Sequence, residues 1–170
     1  DVINLIGKDE FLNDCAENDG KPAYTDRPIN HDYLRMMNQA TFGKESEMIT
    51  VGEMSFTTVE ECILYTKPDR EELDMTFNFH HLKVDYKDGK KWTQMPFDFA
   101  KLKELFHTWG TQMSAESGWN ALFWNNHDQP RALNRFVDVD NYRVAGAKML
   151  AGAIHLNRGT PYIYMGEIGR

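Results

Sequence analysis

The chain has 170 residues, 41% hydrophobic and 12% aromatic, with 19 Lys and Arg against 26 Asp and Glu for a net charge of −7. That length and aromatic load exclude disorder, because enough apolar surface is available to offset the ordering entropy of one domain. The acidic balance argues against nucleic-acid and anionic-membrane partners, and apolar runs of at most five or six residues fall far short of the ~20 that span a bilayer.

In chain order, Val2–Leu5 reads as the stub of a strand, and further β-prone runs occur at Met48–Val51, Leu73–Phe79, Ala121–Trp124 and Tyr162–Tyr164. Helical spacing fills the intervals. Pro28 or Asn30 opens a helix over His31–Ala40, and Thr57–Glu60 reads as a capping box ahead of Cys62–Tyr65. Asp98–Met113 puts Phe99, Leu102, Leu105, Phe106 and Trp109 on one face. Asn141–Leu156 does the same with Val144, Met149, Leu150 and Ile154, while Asp85–Lys91 reads as a charged turn around Gly89. Strands alternating with helices predict parallel βα units, and the mostly unbroken apolar strands predict burial on both faces. Cys15 and Cys62 are too few for a disulfide framework and point to a reducing compartment. With no signal-peptide pattern at the start, a cytoplasmic location is expected. Both ends are expected to lie inside ordered structure, as in a piece of a longer protein.

Polar residues gather just after the strand runs: Glu53 after MITVG, Asn78, His80 and His81 after MTF, Asn125–Arg131 after ALFW, and Glu167 after YIYMG. Barrels and open α/β sheets place their sites at such strand ends. A single Glu there is weak evidence, since most such acids are solvated or act as caps. The run Asn-Asn-His-Asp-Gln-Pro-Arg at 125–131 is more pointed, because it comes directly after a buried aromatic strand and needs something to satisfy its polar groups. Metal ligation by His80, His81, His127 and Asp128 is disfavoured, because neighbours on an extended strand point to opposite faces. No metal and no cofactor are expected.

VGEM at 51–54, FWNNHDQPR at 123–131 and GTPYIYMGE at 159–167 together resemble the alpha-amylase superfamily of glycoside hydrolases, family 13. The opening DVIN resembles the stretch at that family's Arg-x-Asp motif, with Asp1 at the position of the motif's Asp. The resemblance implies an α/β fold, the C-terminal half (about strands 4 to 8) of a (β/α)8 TIM barrel. Residues 1–170 would form a partial catalytic domain, without the N-terminal barrel half or a C-terminal β domain. It implies retaining hydrolysis of an α-glucoside, with Asp1 as nucleophile, Glu53 as acid and base, and Asp128 stabilising the oxocarbenium-like transition state. His127, Asn126 and Arg131 would contact the sugar. The double His of FNFHHLKVDY and the run GKKW resemble members that act on a phosphorylated disaccharide. His81 and Lys91 would then be substrate contacts, Lys91 holding the phosphate in the neighbourhood of Lys83 and Lys90. Oligo-1,6- and dextran-glucosidases compete for the resemblance, and an inactive carbohydrate-binding half barrel is the non-catalytic alternative. An open half barrel would leave sheet edges and apolar faces exposed, so self-association is expected. The family's closing motif has two adjacent Glu where this chain has Glu167 and then Ile168, which leaves the role of Glu167 open.

Overall fold

A computed structural model describes residues 3, 6–10, 17–45, 47–93 and 95–167. Among these, four parallel strands form one sheet in chain order: β1 (Val51–Met54), β2 (Met75–Asn78), β3 (Asn120–Leu122) and β4 (Thr160–Pro161). Parallel neighbours need crossover connections, and helices supply them. Helix α1 (Pro28–Ala40) precedes β1, and the crossovers are α2 (Val59–Thr66), α3 (Phe99–Ala115), and α4 (Ala132–Phe136) with α5 (Val139–His155). The result is the parallel α/β sheet that the alternating pattern predicts, in the strand order that the resemblance implies for part of a barrel.

Local chemistry sets the helix starts. Pro28 occupies the first turn of α1, where its missing N–H costs nothing. Asp98 caps α3 by accepting from the Lys101 N–H at 2.9 Å, and Asp138 caps α5 through the N–H groups of Asp140 and Asn141. The cap of α2 is Thr58, whose hydroxyl accepts from Glu61 N–H at 3.2 Å, so the expected box is shifted by one residue. Thr57 is instead fully buried beside Met54.

Strand boundaries differ from expectation at both ends of the sheet. Pairing begins at Val51, opposite Met75, and not at Met48. The Asp74 carboxylate takes both the N–H and the hydroxyl of Thr50, and Met48 and Ile49 stand exposed before it. The ladder of β4 starts at Thr160, two residues earlier than expected. Of the Val2–Leu5 run only Ile3 is described; it is buried next to Gly52, where a Cβ would come within 2.7 Å of the Ile3 side chain.

The register puts Glu53 beside Phe77, Phe77 beside Ala121, and Ala121 beside Thr160. Residues two apart share a face, so this row continues upward into Phe79, Phe123 and Tyr162. The other face, with Asn78, Asn120 and Leu122, lies against α3. Helix α5 turns Gly146, Leu150 and Ile154 inward, whereas Val144 and Met149 are exposed. The expected face fails there because the helix departs from helical geometry at Tyr142, and Gly146 packs so closely on Val137 that a Cβ would meet it at 2.2 Å.

Helix α1 is tied down by charge. Glu72, fully buried, receives His31 Nδ1 at 2.7 Å, Arg35 at 2.8 Å and Arg70 at 2.8 Å, while His31 Nε2 meets Glu61 at 3.1 Å. Three cationic partners are what a buried carboxylate needs to offset its desolvation.

Candidate active site

At the C-terminal ends of the strands lies a cavity of about 210 Å³. Its floor is aromatic: Phe77, Phe79, Phe123 and Tyr162 meet edge to face, with ring centroids 4.7–5.0 Å apart. Glu53, partly buried on β1, opens into it from one side; Asn125, Asn126 and His127 enter from the loop after β3, and Tyr164 from the segment after β4. A few polar groups converging over an apolar floor form the usual anatomy of a small-molecule site.

The 125–131 loop is built by its own side chains. Asn125 Oδ1 accepts from Ala132 N–H at 2.7 Å, closing the loop at the start of α4. Asn126 Oδ1 accepts from Asp128 N–H at 3.0 Å, an Asx turn that presents His127. The segment carrying the 80s packs against the same loop. Tyr86 donates to Gln129 Oε1 at 3.2 Å, Arg135 holds Asp85 with two hydrogen bonds, and Lys91 Nζ donates to the Asp128 carbonyl at 2.8 Å.

The residues singled out in the sequence do not all share this cavity. Asp1 lies outside the described residues, as does Cys15. Glu53, Asn126 and His127 line the cavity. Asp128 stands beside it at the rim, half-exposed, with its carboxylate 3.6 Å from His127 Nε2. Arg131 is exposed and stacks over the Tyr164 ring at 4.9 Å. Lys91 reaches the rim through Asp128 and rests over Trp92.

His81 does not face the cavity. It is buried among Phe106, Phe123 and Trp124, and its Nε2 donates to the Phe123 carbonyl at 2.7 Å. Burial pushes its pKa down to about 4, which keeps it a neutral donor to that carbonyl under the loop, apart from the residues that line the cavity. His80 and His81 also lie on a 3₁₀ turn (His80–Lys83) and not on an extended strand. His80 is engaged by the Thr57 carbonyl at 3.0 Å. Among the described residues, no group of three His, Cys, Asp or Glu is placed to hold a metal ion.

Lys83 has a place that the sequence named only loosely. Its ammonium donates to the Ser55 carbonyl, two residues beyond Glu53, and lies 4.3 Å from the Phe56 ring, with Lys21 4.4 Å from the same ring. Burial, helped by the Lys21 charge, lowers its pKa to about 8. The aromatic floor was also missed, because Phe77, Phe123 and Tyr162 read equally well as core.

Residues 1–169 match the alpha-amylase family, catalytic domain. Over 98% of its length the chain is 59% identical to trehalose-6-phosphate hydrolase of Bacillus subtilis and 52% identical to that of Escherichia coli. It is 44% identical to glucan 1,6-alpha-glucosidase of Streptococcus pneumoniae over a similar span. The chain spans 30% of the length of each of these relatives. The crystal structure of Bacillus licheniformis trehalose-6-phosphate hydrolase superposes with a TM-score of 0.89 at 54% identity, covering 98% of this chain and 30% of that one. A mutant of that enzyme in complex with PNG gives a TM-score of 0.92 at 55% identity, with the same coverage. No helix among the described residues is long and apolar enough to cross a membrane.

Proposed function

We propose a retaining α-glucosidase reaction from one premise: this chain belongs to the alpha-amylase family, whose catalytic domain it matches over residues 1–169. The observation that supports the reading is that Glu53 and the Asn125–His127 loop share one aromatic-floored cavity at the C-terminal ends of parallel strands. A glucose ring seated there lays its apolar face on Phe77, Phe123 and Tyr162, and its hydroxyls meet Asn126 and His127. Glu53 protonates the glycosidic oxygen as the bond to the anomeric carbon breaks. Asp1 attacks that carbon and forms a glucosyl ester; Glu53 then takes a proton from the water that hydrolyses it. Retention requires the two carboxyl groups to lie roughly 5–5.5 Å apart. Asp128, swung inward from the rim, stabilises the oxocarbenium-like charge.

The substrate in this reading is trehalose 6-phosphate, cleaved in the cytoplasm to glucose and glucose 6-phosphate. Its phosphate is bound by Lys91, whose ammonium is bonded to the loop after β3. The identities to trehalose-6-phosphate hydrolases, higher than that to the glucan glucosidase, favour the phosphorylated substrate. Turnover of trehalose 6-phosphate, isomaltose and p-nitrophenyl α-glucoside by the whole protein tests it. Preference for the phosphorylated disaccharide, with glucose released first as the α anomer, is the expected result. Preference for isomaltose removes the phosphate, and release of the β anomer removes the retaining mechanism.

A further inference from the structure

Glu167 closes a tight turn. Tyr164–Glu167 is held by a hydrogen bond from Glu167 N–H to the Tyr164 carbonyl at 3.1 Å, and Gly166, at φ +83, supplies the left-handed residue that such a turn requires at its third position. The chain therefore folds back, and the Glu167 carboxylate divides its oxygens between two strand ends. Oε2 accepts from Tyr164 N–H at 3.0 Å, and Oε1 accepts from the Asn125 side-chain amide. The other end of that amide, Asn125 Oδ1, holds Ala132 N–H at 2.7 Å.

We propose that Glu167 is a positioning residue: through Asn125 it fixes the 125–132 loop so that Asn126 and His127 face the cavity beside Glu53. The inference rests on the α-glucosidase reading for its consequence in activity, but the linkage itself is a matter of hydrogen-bond polarity. Ala132 N–H demands an acceptor, so Asn125 must present its oxygen there and its NH₂ to residue 167. Tyr164 N–H makes the same demand of residue 167. The only side chain that satisfies both neighbours is one with two acceptors, a carboxylate. Arg131, stacked over the Tyr164 ring, covers the same turn from outside.

This polarity can be reversed as a unit. Glu167→Gln alone sets the new NH₂ against either the Asn125 NH₂ or the Tyr164 N–H. Asn125→Asp alone sets two carboxylates against each other. The double variant restores every bond: the introduced carboxylate accepts from Ala132 N–H and from the introduced amide, whose oxygen accepts from Tyr164 N–H. Total charge then equals that of the parent.

The experiment compares the two single variants and the double variant in the whole protein, measuring kcat and KM on the α-glucoside that the parent turns over fastest. Amide hydrogen exchange at Ala132 and Tyr164 is followed in parallel. Each single variant is expected to lose roughly 10- to 100-fold in kcat/KM and to lose protection at both amides, and the double variant to recover most of both, as groups in one network do. Single variants indistinguishable from the parent, or a double variant no better than the worse single, overturn the proposal. If the parent hydrolyses no α-glucoside, the enzymatic reading fails, and the exchange pattern alone still decides whether Glu167 and Asn125 fix the loop.

Discussion

Lys91 donates its ammonium to the main-chain carbonyl of Asp128 at 2.8 Å, joining two segments 37 residues apart in sequence at the cavity rim. The bond steadies the loop that presents His127, and in the proposed α-glucosidase reaction it keeps a positive charge available to the substrate phosphate. Lys91→Ala is therefore expected to raise KM for trehalose 6-phosphate by roughly 10- to 100-fold, the worth of a charged hydrogen bond. The effect on p-nitrophenyl α-glucoside should be several-fold smaller. Steady-state kinetics on both substrates checks it, and equal losses on the two would assign Lys91 to loop structure alone.

Buried histidines give the fold a pH signature of two signs. Burial pushes the His31 pKa down, but its hydrogen bonds to Glu72 and Glu61 and the Glu72 charge outweigh this, leaving it raised. A raised folded-state pKa contributes stability that is fully present below His's ordinary ~6.5 and is lost as pH climbs through the folded value. His81 behaves oppositely. Its folded pKa of about 4 means that the unfolded chain takes up a proton that the fold refuses, so stability falls between ~6.5 and about 4. Thermal midpoints measured across pH 4–9 should show both limbs. His31→Gln should flatten the alkaline limb and leave the acid one.

How much of this was legible in the sequence depended on range. Asp98 was visible as a helix start because a cap acts within three residues, whereas α5 was expected from Asn141 and begins at Val139 behind the Asp138 cap. Even so, the α2 cap slipped from Thr57 to Thr58, since either threonine suits the pattern and burial of Thr57 beside Met54 decides between them. Glu53, Asn126 and His127 could be placed at strand ends because a parallel sheet gathers those ends at one side, and the cavity contains all three. His81 could not be placed. A histidine next to a histidine looks functional until the Phe123 carbonyl, 42 residues on, takes its ring N–H. The Glu72 network joining α1 to the segment before β2, and the Glu167–Asn125 pair, span comparable separations and leave no periodic trace.

The caps can be weighed individually. Asp98→Ala leaves Lys101 N–H without its acceptor and is expected to cost about 1 kcal/mol of stability. Thr58→Ala at α2 should cost a similar amount, whereas Thr57→Ala should act through packing against Met54 and not through the helix. Denaturant unfolding of the three variants, with circular dichroism at a helical wavelength, distinguishes these origins.

The most direct test falls on Glu53. Replacing it by Gln keeps the shape of the side chain on β1 and removes the proton that the proposed reaction delivers to the departing sugar. Single-turnover hydrolysis of trehalose 6-phosphate by the whole protein carrying Glu53→Gln should slow by about 10²–10⁴-fold with the thermal midpoint unchanged. A rate within a few-fold of the parent would contradict the assignment of Glu53 as the acid and base, and with it the reading of this cavity as an α-glucosidase site.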